Sequence, residues 1–342
     1  MAVTIHRHGD EGVLRDRCVA VIGYGNQGRA HALNLRDSGV AVVVGQRSGG
    51  SRDRAVSDGF DVRSVADAAG AGDVIVVTLP DESAADIYRE HVAPVLAAAP
   101  GRAGRGASGR PTRTLGFVHG FNIRYGFIEP PAGVDVVMVA PKGPGTLLRS
   151  LYVAGKGLPA LMAIHRDVSG CACATALAWA SAIGSTRAGV VETTFASETE
   201  TDLFGEQVVL CGGVTALTKA AFETLVDAGY APEFAYLECV HELKQIVDLM
   251  YARGLSGMRD RISNTAEYGD LTRGPRIITE RVRREMKRIL DDIRSGAFAR
   301  EWIAEYRAGG RRFRALHDAD VDSAYERAGD AVRGLMPWLT EG

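Results

Sequence analysis

The chain reads as an α/β protein, with a Rossmann-like, doubly wound parallel sheet over residues 1–192 and an all-α domain over residues 193–342. Three observations carry that reading. Short β-branched runs alternate with helical patterns from residue 19 to 140. The runs are apolar almost throughout, as strands covered by helices on both faces must be. From about Thr193 the strand signal stops and long amphipathic stretches take over.

Val19 to Ile22 is the first strand, followed by a helix from about Gly28 to Ser38 and a second strand from Val40 to Val44. Val74 to Leu79, Leu115 to Val118 and Val134 to Val139 are further strands, and Ser83 to about Leu96 is a helix. The stretches 195–228, 233–252, 275–293 and 321–335 have helical periodicity. Ala97 to Arg113 is rich in Gly, Ala, Pro and Arg and has no periodicity; it is expected to be a mobile loop at the sheet end opposite the ligand-binding edge.

With 342 residues, 46% hydrophobic and 24% charged, the chain is long enough for two domains. A net charge of -2 gives no electrostatic case for nucleic acid or an anionic membrane. Five cysteines without a CxxC pair suit a reducing compartment. No run is expected to be long and apolar enough to cross a bilayer, and a cytoplasmic location follows.

Four acids dominate the helical half: Asp202 and Glu206, then Glu238 and Glu242. Residues four apart share a helix face, so each segment sets two carboxylates side by side, which destabilises a helix unless a cation intervenes. Such pairs usually face solvent. Here Leu203, Phe204, Val208 and Leu210 flank the first, and Leu237, Val240, Ile246 and Val247 flank the second, so both helices are expected to be largely buried. Buried carboxylates need partners, and an all-oxygen set favours Mg²⁺ over zinc.

Val19-Ala-Val-Ile-Gly23-Tyr-Gly25-Asn-Gln-Gly28 places GxGxxG between a strand and a helix, the pattern of a dinucleotide site. Gly23 permits the turn, Gly25 lets backbone approach a pyrophosphate, and Gly28 permits close helix–sheet packing. After the second strand, where an acid would hold the ribose hydroxyls of NAD, stand Arg47, Ser48, Ser51 and Arg52. That composition suits a 2′-phosphate and favours NADPH over NADH, with Asp53 as a dissenting charge.

Taken together, several segments resemble ketol-acid reductoisomerase (acetohydroxy-acid isomeroreductase) of the short-chain class. They are Gly23 to Gly39, Leu79-Pro-Asp-Glu82, His119-Gly-Phe-Asn-Ile123, Ala140-Pro-Lys-Gly-Pro-Gly145, Glu198 to Gln207, Glu238 to Lys244, Ile262 to Gly269 and Met336-Pro-Trp-Leu339. They span essentially the whole chain in order. The resemblance implies Mg²⁺-dependent alkyl migration of 2-acetolactate or 2-aceto-2-hydroxybutyrate, then NADPH reduction, in valine, leucine and isoleucine synthesis. It implies two Mg²⁺, with Asp202 bridging them, Glu206 a further ligand, and Glu238 and Glu242 serving the second ion, Glu242 also catalytically. By the same resemblance Ser263 holds substrate, His119 and Lys142 lie between nicotinamide and metals, and Tyr24, Asn26, Gln27, Pro80, Asp81 and Gly145 join the cofactor set. A knotted helical domain and a homodimer or larger homo-oligomer are likewise implied.

The chain departs from the family pattern at Asn26, Arg29 and Thr146, in a phosphate-recognition loop one residue short, and in an enlarged 97–113 segment. These departures leave room for a paralogue acting on a related acetohydroxy acid. A simple hydroxy-acid dehydrogenase would share the domain pairing but would not need four acids on two helices. An inactive NADP-binding dimerisation protein would be expected to lose buried acids.

Overall fold

The structure, a computed structural model, describes residues 3–98 and 112–339. Most of the Ala97–Arg113 segment therefore lies outside the described residues. Two compact units are present, Met1–Thr201 and Asp202–Gly342.

Unit 1 contains β1 (Ile5–His6), β2 (Cys18–Ile22), α1 (Asn26–Asp37), β3 (Ala41–Gly45), α2 (Gly50–Ser57), β4 (Asp61–Arg63), α3 (Val65–Ala71), β5 (Val74–Val77), α4 (Asp81–Ile87) and α5 (Ala93–Ala98). It continues with β6 (Thr114–Phe117), α6 (Phe121–Arg124), β7 (Asp135–Pro141), α7 (Gly145–Val153), β8 (Ala160–Arg166), α8 (Ala172–Ala182), β9 (Val190–Glu192) and most of α9 (Phe195–Gly205). The strands form one sheet in the order β1-β9-β8-β7-β6-β5-β2-β3-β4.

Alternation within β2 shows why the strand is apolar throughout. Val19 and Val21 enter one buried cluster with Trp179, whereas Ala20 and Ile22 enter another with Leu115 and Phe117. Successive side chains point to opposite faces, and both faces are covered.

The sheet is mixed rather than wholly parallel. From β4 to β7 all pairings are parallel, but β8 runs antiparallel to β7 and β1 antiparallel to β9. After α7 the chain returns to the carboxyl end of β7, where Lys142 N donates to Pro159 O at 2.8 Å. A strand that starts there can only run back down. The short strands β4 and β9, three residues each, and the Ala-containing β8 were not among the expected elements.

Unit 2 is helical: α10 (Gly212–Asp227), α11 (Pro232–Tyr236), α12 (Glu242–Arg259), α13 (Asn264–Ile277), α14 (Glu280–Ser295), α15 (Ala297–Arg307), α16 (Arg311–Val321) and α17 (Ala324–Arg333). Single π-helical turns occupy Glu206–Leu210 and Leu237–His241. The expected helix 275–293 is two helices that part at Ile278 and Thr279.

Unit 2 has a small core around Phe222, Ala235, Tyr236, Ala328 and Val332. Large apolar side chains remain exposed in this single chain, including Leu210, Leu217, Tyr251, Leu255, Leu316 and Trp338.

One expectation about membranes needs correction. The helical run Phe195–Asp227 is 33 residues long and contains a window of mean hydropathy 1.4, enough by length and composition to cross a bilayer. Ala, Gly, Cys and Thr stand among its larger apolar residues, so the sequence shows no solid apolar block there. The acids Glu198, Glu200, Asp202 and Glu206 sit at the start of the run, ahead of its apolar stretch, and helices of proteins that enter no membrane reach the same length and composition.

Candidate active site

The carboxyl ends of adjacent strands converge on one carboxylate, Glu198. His119 and Gly120 follow β6, Lys142 follows β7, and Glu198 lies on α9. Lys142 Nζ donates to Glu198 Oε1 at 2.7 Å, and Gly120 N donates to Oε2 at 3.0 Å. His119 Nδ1 lies 3.1 Å from Oε2, and its Nε2 lies 3.8 Å from Asp81 Oδ2, at the start of α4. A side chain at residue 120 would put its Cβ 2.4 Å from Thr199 Oγ1, so glycine is required for this approach.

Glu198 is fully buried. Burial by itself pushes its carboxyl pKa up, but hydrogen bonding and attraction from His119 and Lys142 outweigh it and bring the value down to about 2. The result is a dry anion that orients a lysine ammonium and an imidazole at the sheet edge.

The glycine loop lies beside this edge. A Cβ on Gly28 would sit 2.3 Å from Gly23 O and 2.5 Å from Thr78 Oγ1, which is why α1 can begin directly against the sheet. Space opposite Gly25 is open, and the start of α1 has no side-chain cap, leaving backbone N–H groups for a phosphate. Gln27 Nε2 donates to Gly143 O at 2.9 Å, and Tyr24 N donates to Gln46 Oε1 at 3.0 Å. Gly145 and Asn26 abut, since a Cβ at 145 would lie 2.0 Å from Asn26 O. Pro80 precedes α4 as its cap residue.

The arginines near this loop have different engagements. Arg52 donates to the backbone carbonyls of Gln46 and Val62 at 3.2 and 3.1 Å. Arg29 grips Asp58 with Nε at 2.7 Å and Nη2 at 3.1 Å, while Tyr24 OH donates to the same carboxylate at 2.8 Å. Arg47 is exposed, and Ser51 lies in the first turn of α2.

The helices bearing the two acid pairs are not buried as expected. Glu206, Glu238 and Glu242 are exposed, and so are Val209 (56%), Leu210 (68%) and Val247 (47%). Their apolar neighbours divide: Leu203 is buried and Leu237 and Val240 pack against the core of unit 2, while Val209, Leu210 and Val247 lie open in the single chain. Each pair also adjoins or spans a π turn, so the simple four-residue spacing of an α-helix does not hold there. Among the described residues these four acids do not gather into one ligand cluster. Ser263 is exposed at the start of α13, its Oγ accepting from Ala266 N at 3.1 Å.

Comparison with known proteins gives the family. Residues 13–189 match "Acetohydroxy acid isomeroreductase, NADPH-binding domain" and residues 195–338 match "Ketol-acid reductoisomerase, C-terminal domain". The chain belongs to the ketol-acid reductoisomerase family. It is similar to the structure of an NADH-preferring ketol-acid reductoisomerase from an uncultured archean, with 43% identity, 98% of this chain and 99% of the other covered, and a TM-score of 0.91. As a ketol-acid reductoisomerase it is an oxidoreductase that also isomerises, uses a nicotinamide cofactor and works in branched-chain amino acid synthesis.

Likeness extends in fold alone to a semialdehyde dehydrogenase NAD-binding protein from Cupriavidus necator (16% identity, 82% and 99% covered, TM-score 0.59). A putative oxidoreductase from Jannaschia sp. is comparable (15% identity, 81% and 97% covered, TM-score 0.58).

For a ketol-acid reductoisomerase the donor chemistry near α9 suits a hard divalent ion. Glu198 and Asp202, one turn apart on that helix, and the His119 imidazole bring ligand atoms within 4.8 Å of one another, with the Glu198 oxygens also accepting from Lys142 and Gly120. Sequence reasoning gave Glu198 no role. The available signal was its place four residues before Asp202, which extends the spacing 202, 206 back by one turn.

Proposed function

We propose that the chain converts 2-acetolactate or 2-aceto-2-hydroxybutyrate to the 2,3-dihydroxy-3-methyl acid, using two Mg²⁺ and NADPH. The observation that carries this reading is the buried Glu198 anion holding Lys142 and His119 at the edge where the glycine loop also lies. Asp202, Glu206, Glu238 and Glu242 are the residues that would hold the ions. When bound, two such ions supply Lewis-acid polarisation of neighbouring substrate oxygens, and the nicotinamide supplies hydride.

The chain's own groups do the rest. Glu198 aims Lys142 Nζ, so that it can hydrogen-bond a substrate oxygen as negative charge develops there. His119, fixed through Nδ1 on Glu198, is left with Nε2 toward Asp81 for orientation and proton exchange. Glu242 would serve the alkyl-migration step, and Ser263, whose Oγ accepts from backbone, retains its hydroxyl proton for a substrate carboxylate.

Arg47 and Ser51 support NADPH, while the similarity to an NADH-preferring enzyme supports NADH as a second reading. The exposed apolar side chains of unit 2 support a homodimer or larger assembly, in which a second copy brings its own acid pair.

The test is NADPH or NADH oxidation with racemic 2-acetolactate, with and without Mg²⁺, on the parent and Asp202→Asn. Turnover that needs Mg²⁺ and disappears in the variant is expected. Parent-level turnover by Asp202→Asn would remove the metal assignment.

A further inference from the structure

The segment after β6 touches α9 twice, on opposite sides. Gly120 N and His119 Nδ1 meet Glu198, while Arg124 Nε and Nη2 donate to Glu200 Oε1 at 3.0 and 2.8 Å. Residues 198 and 200 point about 200° apart around a helix. Helix α9 is therefore held across its axis, with one contact on each flank. A helix pinned on one side can roll about that contact; one pinned on both cannot.

The platform that makes these contacts is itself fixed. Phe121 is buried and stacks on Phe127 with ring centroids 5.7 Å apart. Asn122 Nδ2 donates to Asp81 O at 3.1 Å, and Asn122 O accepts from the amides of Phe127 and Ile128. Arg124 lies against the Tyr125 ring, its guanidinium carbon 5.3 Å from the centroid. The pair is mostly shielded, with side-chain exposures of 28% for Arg124 and 16% for Glu200. It is thus no loose surface ion pair of negligible worth.

We propose that Arg124 and Glu200 form a positioning pair that fixes the rotation of α9, and with it the direction in which Asp202 projects one turn beyond Glu198. Neither side chain is assigned contact with substrate or cofactor. This rests on the reading of Asp202 as a magnesium ligand, and the consequence is that Mg²⁺ affinity depends on a pair that binds no metal. Groups that orient metal ligands typically alter affinity by about 10–100-fold when removed.

The experiment is calorimetric titration of the full chain with MgCl₂, without substrate, for the parent, Asp202→Asn, Arg124→Met, Arg124→Lys, Glu200→Gln and the double variant Arg124→Met with Glu200→Gln. Cofactor affinity and the circular dichroism melt are measured alongside. Arg124→Met and Glu200→Gln should each weaken Mg²⁺ about tenfold or more, leave NADPH affinity within about twofold, and be no worse in combination than singly. Arg124→Lys should recover part of the loss.

Unchanged Mg²⁺ affinity in both Arg124→Met and Glu200→Gln, with Asp202→Asn losing it, overturns the pair and spares the ligand. Mg²⁺ binding that survives Asp202→Asn overturns the metal reading itself. Should Arg124→Met fail to fold, Glu200→Gln and Arg124→Lys decide alone. Parallel loss of NADPH affinity would mark general unfolding of the edge and also overturn the proposal.

Discussion

Replacing Glu198 by Gln keeps the shape and removes the charge, and the structure sets the size of the effect. The folded carboxyl titrates at about 2 against an ordinary 4.5. That difference, at about 1.4 kcal/mol per pH unit, corresponds to about 3 kcal/mol. Because the folded value is depressed, the contribution is complete above pH 4.5 and is lost as pH falls from there toward 2. The side chain has no exposed surface, so solvent screening does not reduce the figure.

Urea unfolding followed by Trp179 fluorescence reads this in unit 1, with Trp302 and Trp338 replaced by Phe in both proteins. Carboxylates common to parent and variant cancel in the difference. The variant should be about 3 kcal/mol less stable at pH 7 and approach the parent below pH 4.5. A gap that stays constant through that range, or no gap at pH 7, would refute the charge-pairing argument.

Three further outcomes are expected. Glu242→Gln should slow alkyl migration more than reduction of an added 2-keto substrate; equal losses in steady-state assays of both steps would count against its role. Arg47→Asp with Ser51→Asp should lower kcat/KM for NADPH relative to NADH, read by cofactor competition, and an unchanged ratio would place the 2′-phosphate elsewhere. Gly145→Ala forces a Cβ to within 2.0 Å of Asn26 O, which should cost about 1–3 kcal/mol and raise the cofactor Kd; a melt and Kd equal to the parent's would mean the α1–α7 contact yields freely.

Much of the sheet was legible because two-sided burial leaves a plain residue signature. Val19 to Ile22 and Val74 to Val77 are apolar at every position and belong to interior strands, each paired on both edges. The glycine spacing was legible for a steric reason, since a Cβ at residue 28 would lie 2.3 Å from Gly23 O.

Reversal of β8 was not legible, because strand direction depends on where a connection returns and not on composition. Glu198 escaped because its distinction comes from partners 79 and 56 residues away, His119 and Lys142. Among neighbouring acids in one helix it reads like the others. Apolar residues flanking the paired acids were all read as internal, whereas Leu210 and Val247 lie open in this chain: periodicity reports that a face is apolar, not what covers it.

The abutment of Gly145 on Asn26 means that two helices, α1 and α7, start side by side. Each helix start carries a partial positive charge of about half an electron from its aligned peptide units. The loop therefore owns an electropositive spot made of main chain, one that no protonation change and few point substitutions can erase. Evolution can exchange the arginines around it to alter which nucleotide is preferred while the attraction for diphosphate stays in place.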